Sequence, residues 1–113
     1  MNTIKNSLFL ILSIVLLNSC STPPTPQKRA PKVHVVEINE MKFQPAELTV
    51  LTGDTVMWIN KDIVAHNVTE EKNATWASSP LPSGASWKMV VTQNADYYCS
   101  IHVTMKGKIM VEF

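Results

Sequence analysis

Within seven residues, Cys99-Ser100-Ile101-His102-Val103-Thr104-Met105, the chain sets a thiol, an imidazole and a thioether three positions apart. A fourth donor, the second imidazole, is His66, which lies 33 residues upstream of Cys99 between two apolar runs. A Cys at the end of a strand, followed by donors three and six residues later, can wrap one centre because a short loop turns successive side chains inward. His66 would then close the site from another loop.

The chain has little material for this. Its 113 residues leave room for one small domain. A hydrophobic fraction of 45% and a net charge of +1 exclude a disordered chain and give no electrostatic attraction for nucleic acid. Two cysteines are too few for a disulfide-built miniprotein.

The first 20 residues read as an address. A single cation, Lys5, precedes the apolar run Leu8 to Leu17, which is the layout of a secretory signal and is shorter than the roughly 20 apolar residues of a membrane span. The run ends in Leu17-Asn18-Ser19-Cys20, which resembles a bacterial lipobox, with Cys20 acylated and becoming the first residue of the mature protein. An ordinary cleaved signal, an uncleaved anchor and a Cys20–Cys99 disulfide are the alternatives. Residues 1–19 are therefore read as a lipoprotein signal peptide, 20–31 as the acylated cysteine with a Pro-rich tether, and 32–113 as the folded domain. Ser21 to Pro31 holds four of the seven prolines and no apolar periodicity, so an extended tether is expected. The domain itself carries 7 Lys and Arg against 9 Asp and Glu, a mildly acidic balance.

The domain reads as all-β. Val33 to Ile38, Leu48 to Leu51, Thr55 to Ile59, Asn67 to Glu70, Trp87 to Thr92, Asp96 to Cys99 and Lys106 to Phe113 are short runs rich in β-branched and aromatic residues. Turn signals separate them at Gly53-Asp54, Asn60-Lys61-Asp62, Pro80 to Gly84 and Gln93-Asn94-Ala95. Seven or eight short strands predict a sandwich or barrel. Residues 72–86 show no clear pattern, and a loop or a brief helical turn is expected there. His34 has no donor spacing around it and reads as a surface histidine. Met41, Met57, Met89 and Met110 read as core filler, and Trp58, Trp76 and Trp87 as core or rim aromatics.

Two imidazoles and one thiolate with a weak thioether make the set of a blue-copper site. Structural zinc prefers four strong Cys or His ligands, and calcium and magnesium want oxygens. The residues His66-Asn67-Val68 and Tyr97-Tyr98-Cys99-Ser100-Ile101-His102, followed by Met105-Lys106-Gly107-Lys108, resemble cupredoxins of the plastocyanin, pseudoazurin and amicyanin group. Met41 to Pro45 and Gly53 to Asn60 extend the likeness over Val33 to Phe113. The loop with two residues between His102 and Met105 is similar to that of amicyanin. Ile101 and Val103 stand where amicyanin-like loops carry prolines, and Asn94-Ala95 replaces the usual Pro-Gly turn, a change softened if Asn94 adopts a left-handed conformation.

The resemblance implies a Greek-key β-sandwich that binds one copper ion through His66, Cys99, His102 and Met105 and passes single electrons without being an enzyme. It implies that Asn67, with Ser100, ties the two ligand loops together, and that His102 with Val64, Ala65, Ile101 and Val103 forms the electron port and docking face. The expected partners are redox proteins (a cytochrome, a copper reductase or a dehydrogenase) docking transiently on a monomer, with the lipid anchor holding it to a bacterial membrane, facing periplasm or exterior. A copper chaperone or store using the same ligands is the alternative; a catalytic copper protein needs a second ion or an open position, for which there is no spare histidine motif.

Overall fold

Thr55–Asn60 buries every second side chain, Val56, Trp58 and Asn60, and Val33–Asn39 does the same with Val36 and Ile38, the period of strands with one face on a core. A computed structural model describes residues 17–24 and 28–113. Among them are eight strands and no helix: β1 Val33–Asn39, β2 Lys42–Gln44, β3 Glu47–Leu51, β4 Thr55–Asn60, β5 Thr69–Glu70, β6 Ser86–Val90, β7 Ala95–Tyr98 and β8 Lys106–Glu112. One sheet has the order β2-β1-β4-β6 and the other β3-β8-β7-β5. β1 pairs with β4, and β3 with β8, in parallel; all other pairs are antiparallel. Between the sheets lie Val36, Ile38, Phe43, Val50, Val56, Trp58, Val68, Tyr97 and Ile109. Trp58, fully buried, meets Tyr97 edge-on at 5.4 Å, while half-buried Trp76 and Trp87 pack against its other sides.

The strand directions define two ends. β4 starts directly after Asp54 and ends at Asn60, beside the loop that carries His66; β8 starts directly after Met105 and finishes at Glu112. His66, Cys99 and Met105 therefore sit at one end of the sandwich, and the Leu51–Thr55 turn, the start of β1 and Phe113 at the other.

Several expectations are corrected. Of the two alternatives for residues 72–86 the loop is found, over 72–85, stitched down by the isolated bridges His66–Leu81 and Thr69–Ala77, and Ser86 already opens β6. β2 is an added strand, short because Pro45 ends it one residue after Gln44. β7 stops at Tyr98, so Cys99 already lies in the loop. Met89 packs against the core, but Met110 points outward from β8 and Met41 is exposed in a turn. His34 is half-buried, with Nε2 2.8 Å from Oδ2 of Asp54. Asn94 has negative φ and instead accepts the Val111 amide through Oδ1 at 2.7 Å. Cys20 and Cys99 are both free thiols. Residues 1–16, most of the predicted signal peptide, lie outside the described residues.

Candidate metal centre

The His66 loop is built by Asn60. Its buried Nδ2 donates to the carbonyls of Val64 and Leu81, both at 2.8 Å, and its Oδ1 accepts the Asp62 amide at 2.9 Å, so a polar side chain inside the sandwich is fully satisfied. The loop holds His66 at 0% exposure with Nε2 2.8 Å from Oδ2 of Asp62. That carboxylate also accepts the amides of Glu40 and Met41, at 2.8 and 3.0 Å. Burial opposes ionisation of Asp62, but the Met41 amide, the His66 ring and the Glu40 amide outweigh it and hold the carboxyl below its ordinary value. With Nε2–H given to Asp62, the Nδ1 lone pair of His66 is left free.

The second loop closes on itself: the Cys99 amide donates to the Met105 carbonyl at 3.1 Å and the Met105 amide to the His102 carbonyl at 3.0 Å. These bonds fix a loop that lacks prolines at 101 and 103. The Cys99 Sγ is fully buried, 3.9 Å from Nδ1 of His66 and 3.8 Å from Nδ1 of His102, and the two ring nitrogens are 3.1 Å apart. All three donor atoms fall within 4.8 Å of one another, and Met105 is buried beneath the same loop. Asn67 joins the loops. Its amide donates to Cys99 Sγ at 3.4 Å, its Nδ2 donates to Ser100 Oγ at 2.6 Å, and its Oδ1 accepts the Ser100 amide at 2.7 Å.

His102 is half-exposed in a rim of exposed apolar residues, Val64, Ala65, Ile101 and Val103, to which Ile63, 94% exposed, is added. Sequence reasoning passed over Ile63, Asn60 and Asp62, which look like the contents of an ordinary polar turn. Four-residue spacing between Asp62 and His66 was the one available signal. The convergent soft-donor set fits copper: one thiol and two imidazoles meet at a point at the end of a rigid sandwich, with no carboxylate oxygen among them.

Such a two-sheet sandwich with a thiol–bis-imidazole cluster at one end defines a small single-site metalloprotein. Residues 31–112 match the model of the copper-binding proteins of the plastocyanin/azurin family, and the chain belongs to that family. It is 34% identical over 84 residues to amicyanin of Paracoccus denitrificans, which covers 69% of this chain; the chain spans about 64% of that relative's length. It is 31% identical to plastocyanin of Nostoc punctiforme over 90% of this chain and 89% of that one. Among solved structures, the Cu(I) form of a methionine-to-alanine mutant of amicyanin superposes with a TM-score of 0.68 at 33% identity, covering 75% of this chain and 87% of that chain. An oxidised proline-to-alanine mutant gives 0.65 at 34% identity, covering 69% and 80%.

Proposed function

We propose that the chain is a type 1 copper electron carrier in which His66, Cys99, His102 and Met105 hold one ion. The observation that carries this reading is the buried Cys99 thiol facing two imidazole nitrogens at 3.8 and 3.9 Å that are themselves 3.1 Å apart, three donors converging on one point. When bound, copper supplies a one-electron couple. The chain supplies the rest: Asp62 fixes the His66 tautomer, Asn67 holds the two loops at constant separation, and the sandwich keeps the donors from following the preferences of either oxidation state. His102, the half-exposed member, brings the site to the surface. The apolar rim around it suits transient docking of a redox protein on a small area, under about 1,200 Å² in weak encounters.

Burial of His66, Cys99 and Met105 favours a carrier over a copper chaperone or store, which would exchange its metal through accessible donors. The purified protein loaded with Cu(II) is expected to show an intense visible thiolate-to-copper band and a narrow-hyperfine paramagnetic signal. A colourless complex, or colour that survives Cys99→Ala, would refute the assignment. Fast copper loss to a chelator with sluggish electron self-exchange would favour the chaperone instead.

The finer reading places the carrier on a bacterial membrane. Cys20, an exposed free thiol in Leu17-Asn18-Ser19-Cys20, is acylated in this reading and becomes the first residue of the mature protein. Acyl chains add roughly 0.8 kcal/mol of membrane affinity per buried CH₂, so a multiply acylated Cys20 anchors a monomer facing periplasm or exterior. Mass spectrometry of the mature N-terminus tests this; an unmodified Cys20 contradicts it.

A further inference from the structure

The end of the sandwich far from the metal centre has its own buried charge. Asp54 is 1% exposed and accepts four donors: Arg29 Nη2 at 2.6 Å, the Lys32 amide at 3.0 Å, His34 at 2.8 Å and the Leu51 amide at 3.2 Å. Two of these, Arg29 and Lys32, come from the segment leading into β1; the sequence assigns Arg29 to the tether and Lys32 to the start of the domain. Arg29 is only partly exposed, and it lines one cavity with Lys28, Pro31, Leu51, Thr52 and Phe113. The chain thus crosses this end of the sandwich before entering β1, held by a charge-assisted bond to a carboxylate that the fold itself buries.

The consequence is one of length. From Cys20 to Arg29 are nine residues, which span at most about 30–32 Å at about 3.3–3.6 Å each. From Cys20 to Lys32, which stays bonded to Asp54 and Thr55, are twelve, at most about 40–43 Å. The seven residues of β1 are about 23 Å long, and a loop layer of about 5 Å at each end makes the body about 33 Å from end to end. To turn the His102 face onto the bilayer, the tether must reach back along that whole length. With Arg29 bound to Asp54 the tether's full extension only about equals that length; without that contact it reaches with about 7–10 Å to spare.

Resting on the reading that Cys20 is acylated, we propose that the Arg29–Asp54 pair is a clasp on the tether that keeps the docking face around His102 turned away from the bilayer. Its partners are then proteins or protein domains standing in the aqueous phase, not redox molecules dissolved in the lipid.

The test uses full-length acylated, copper-loaded protein in lipid vesicles and follows bleaching of the visible band. One reductant is a long-chain quinol confined to the bilayer, the other aqueous ascorbate. Expected are slow reduction by quinol in the native protein, several-fold faster reduction in Arg29→Glu and Arg29→Gln, and equal ascorbate rates in all three. Fast quinol reduction of the native protein, or no difference between it and the variants, overturns the proposal. A nitroxide on Thr22→Cys reads the clasp apart from the anchor: its distance to Cu(II) is expected to be long and narrowly distributed, and to broaden towards shorter values in Arg29→Glu. An unchanged distribution rules out the clasp. Failure to sediment with vesicles while the distances behave as expected would refute the anchor, and with it the orientation, but leave the clasp standing.

Discussion

A Cβ added at Gly107 would lie 2.2 Å from Cζ of Tyr97, whose ring is wholly buried and has nowhere to move. Gly107→Ala is expected to destabilise the fold at or above the upper end of the roughly 1–3 kcal/mol range of overpacking, read by chemical denaturation. Tyr97 also carries a pH dependence. Burial pushes its hydroxyl up to about 12, against an ordinary value near 10, with the neighbouring Trp58 Nε1–H opposing the rise. The folded state holds this proton more tightly than the unfolded one. The contribution is therefore complete below about pH 10 and disappears between about 10 and 12, on the order of 2–3 kcal/mol in all. Alkaline unfolding monitored by tyrosinate absorbance checks it, with onset above pH 10 expected. At the metal centre, Asn67→Ala removes both bonds to Ser100, and a loss of about 10- to 100-fold in copper affinity by competition titration is expected. The donors themselves were readable from spacing. Asp62 was not, because a carboxylate in a turn has the same sequence whether it faces water or a histidine.

The β1–β2 hairpin shows how an element can depend on a distant residue. Glu40 and Met41 both have positive φ, at 53° and 60°, the demand of a tight two-residue turn normally met by Asn-Gly. Here neither residue is suited to it, and the Asp62 carboxylate receives both amides in compensation. Replacing the pair by Glu40→Asn with Met41→Gly is expected to stabilise the protein by about 1–2 kcal/mol in thermal or denaturant unfolding, with the visible spectrum unchanged. Asp62→Ala loses the turn and the His66 contact together, so a fall in stability and a weaker, shifted copper band are expected in the same variant. The turn escaped sequence reading because Asn39-Glu40-Met41-Lys42 carries no glycine. The longer strands were legible because alternation of apolar residues survives wherever one face is buried.

At the scale of the whole molecule, the two ends of the sandwich answer to different conditions. The Arg29 guanidinium, with the Lys32 amide and then His34 and Leu51, holds the Asp54 carboxyl well below the usual carboxylate range despite burial. Its contribution to stability is therefore full above the ordinary carboxylate value near 4 and is lost as pH falls below it; Asp54→Asn should flatten the acid limb of a melting-temperature profile. At the opposite end, copper should raise the melting temperature at constant pH, with about 4 kcal/mol expected at a free concentration a thousandfold above Kd. The sequence by itself determined the all-β class, the donor set and the family resemblance, because strand alternation and loop spacing are local and are written directly in residue order. Only the tertiary structure decided that Asn60 and Asp62 support His66, that His34 and Arg29 share one buried carboxylate, and that the tether leaves from the end opposite the metal centre. Those facts depend on which strand ends meet in space, and a parallel pairing such as β1 with β4 brings together residues that no local pattern connects.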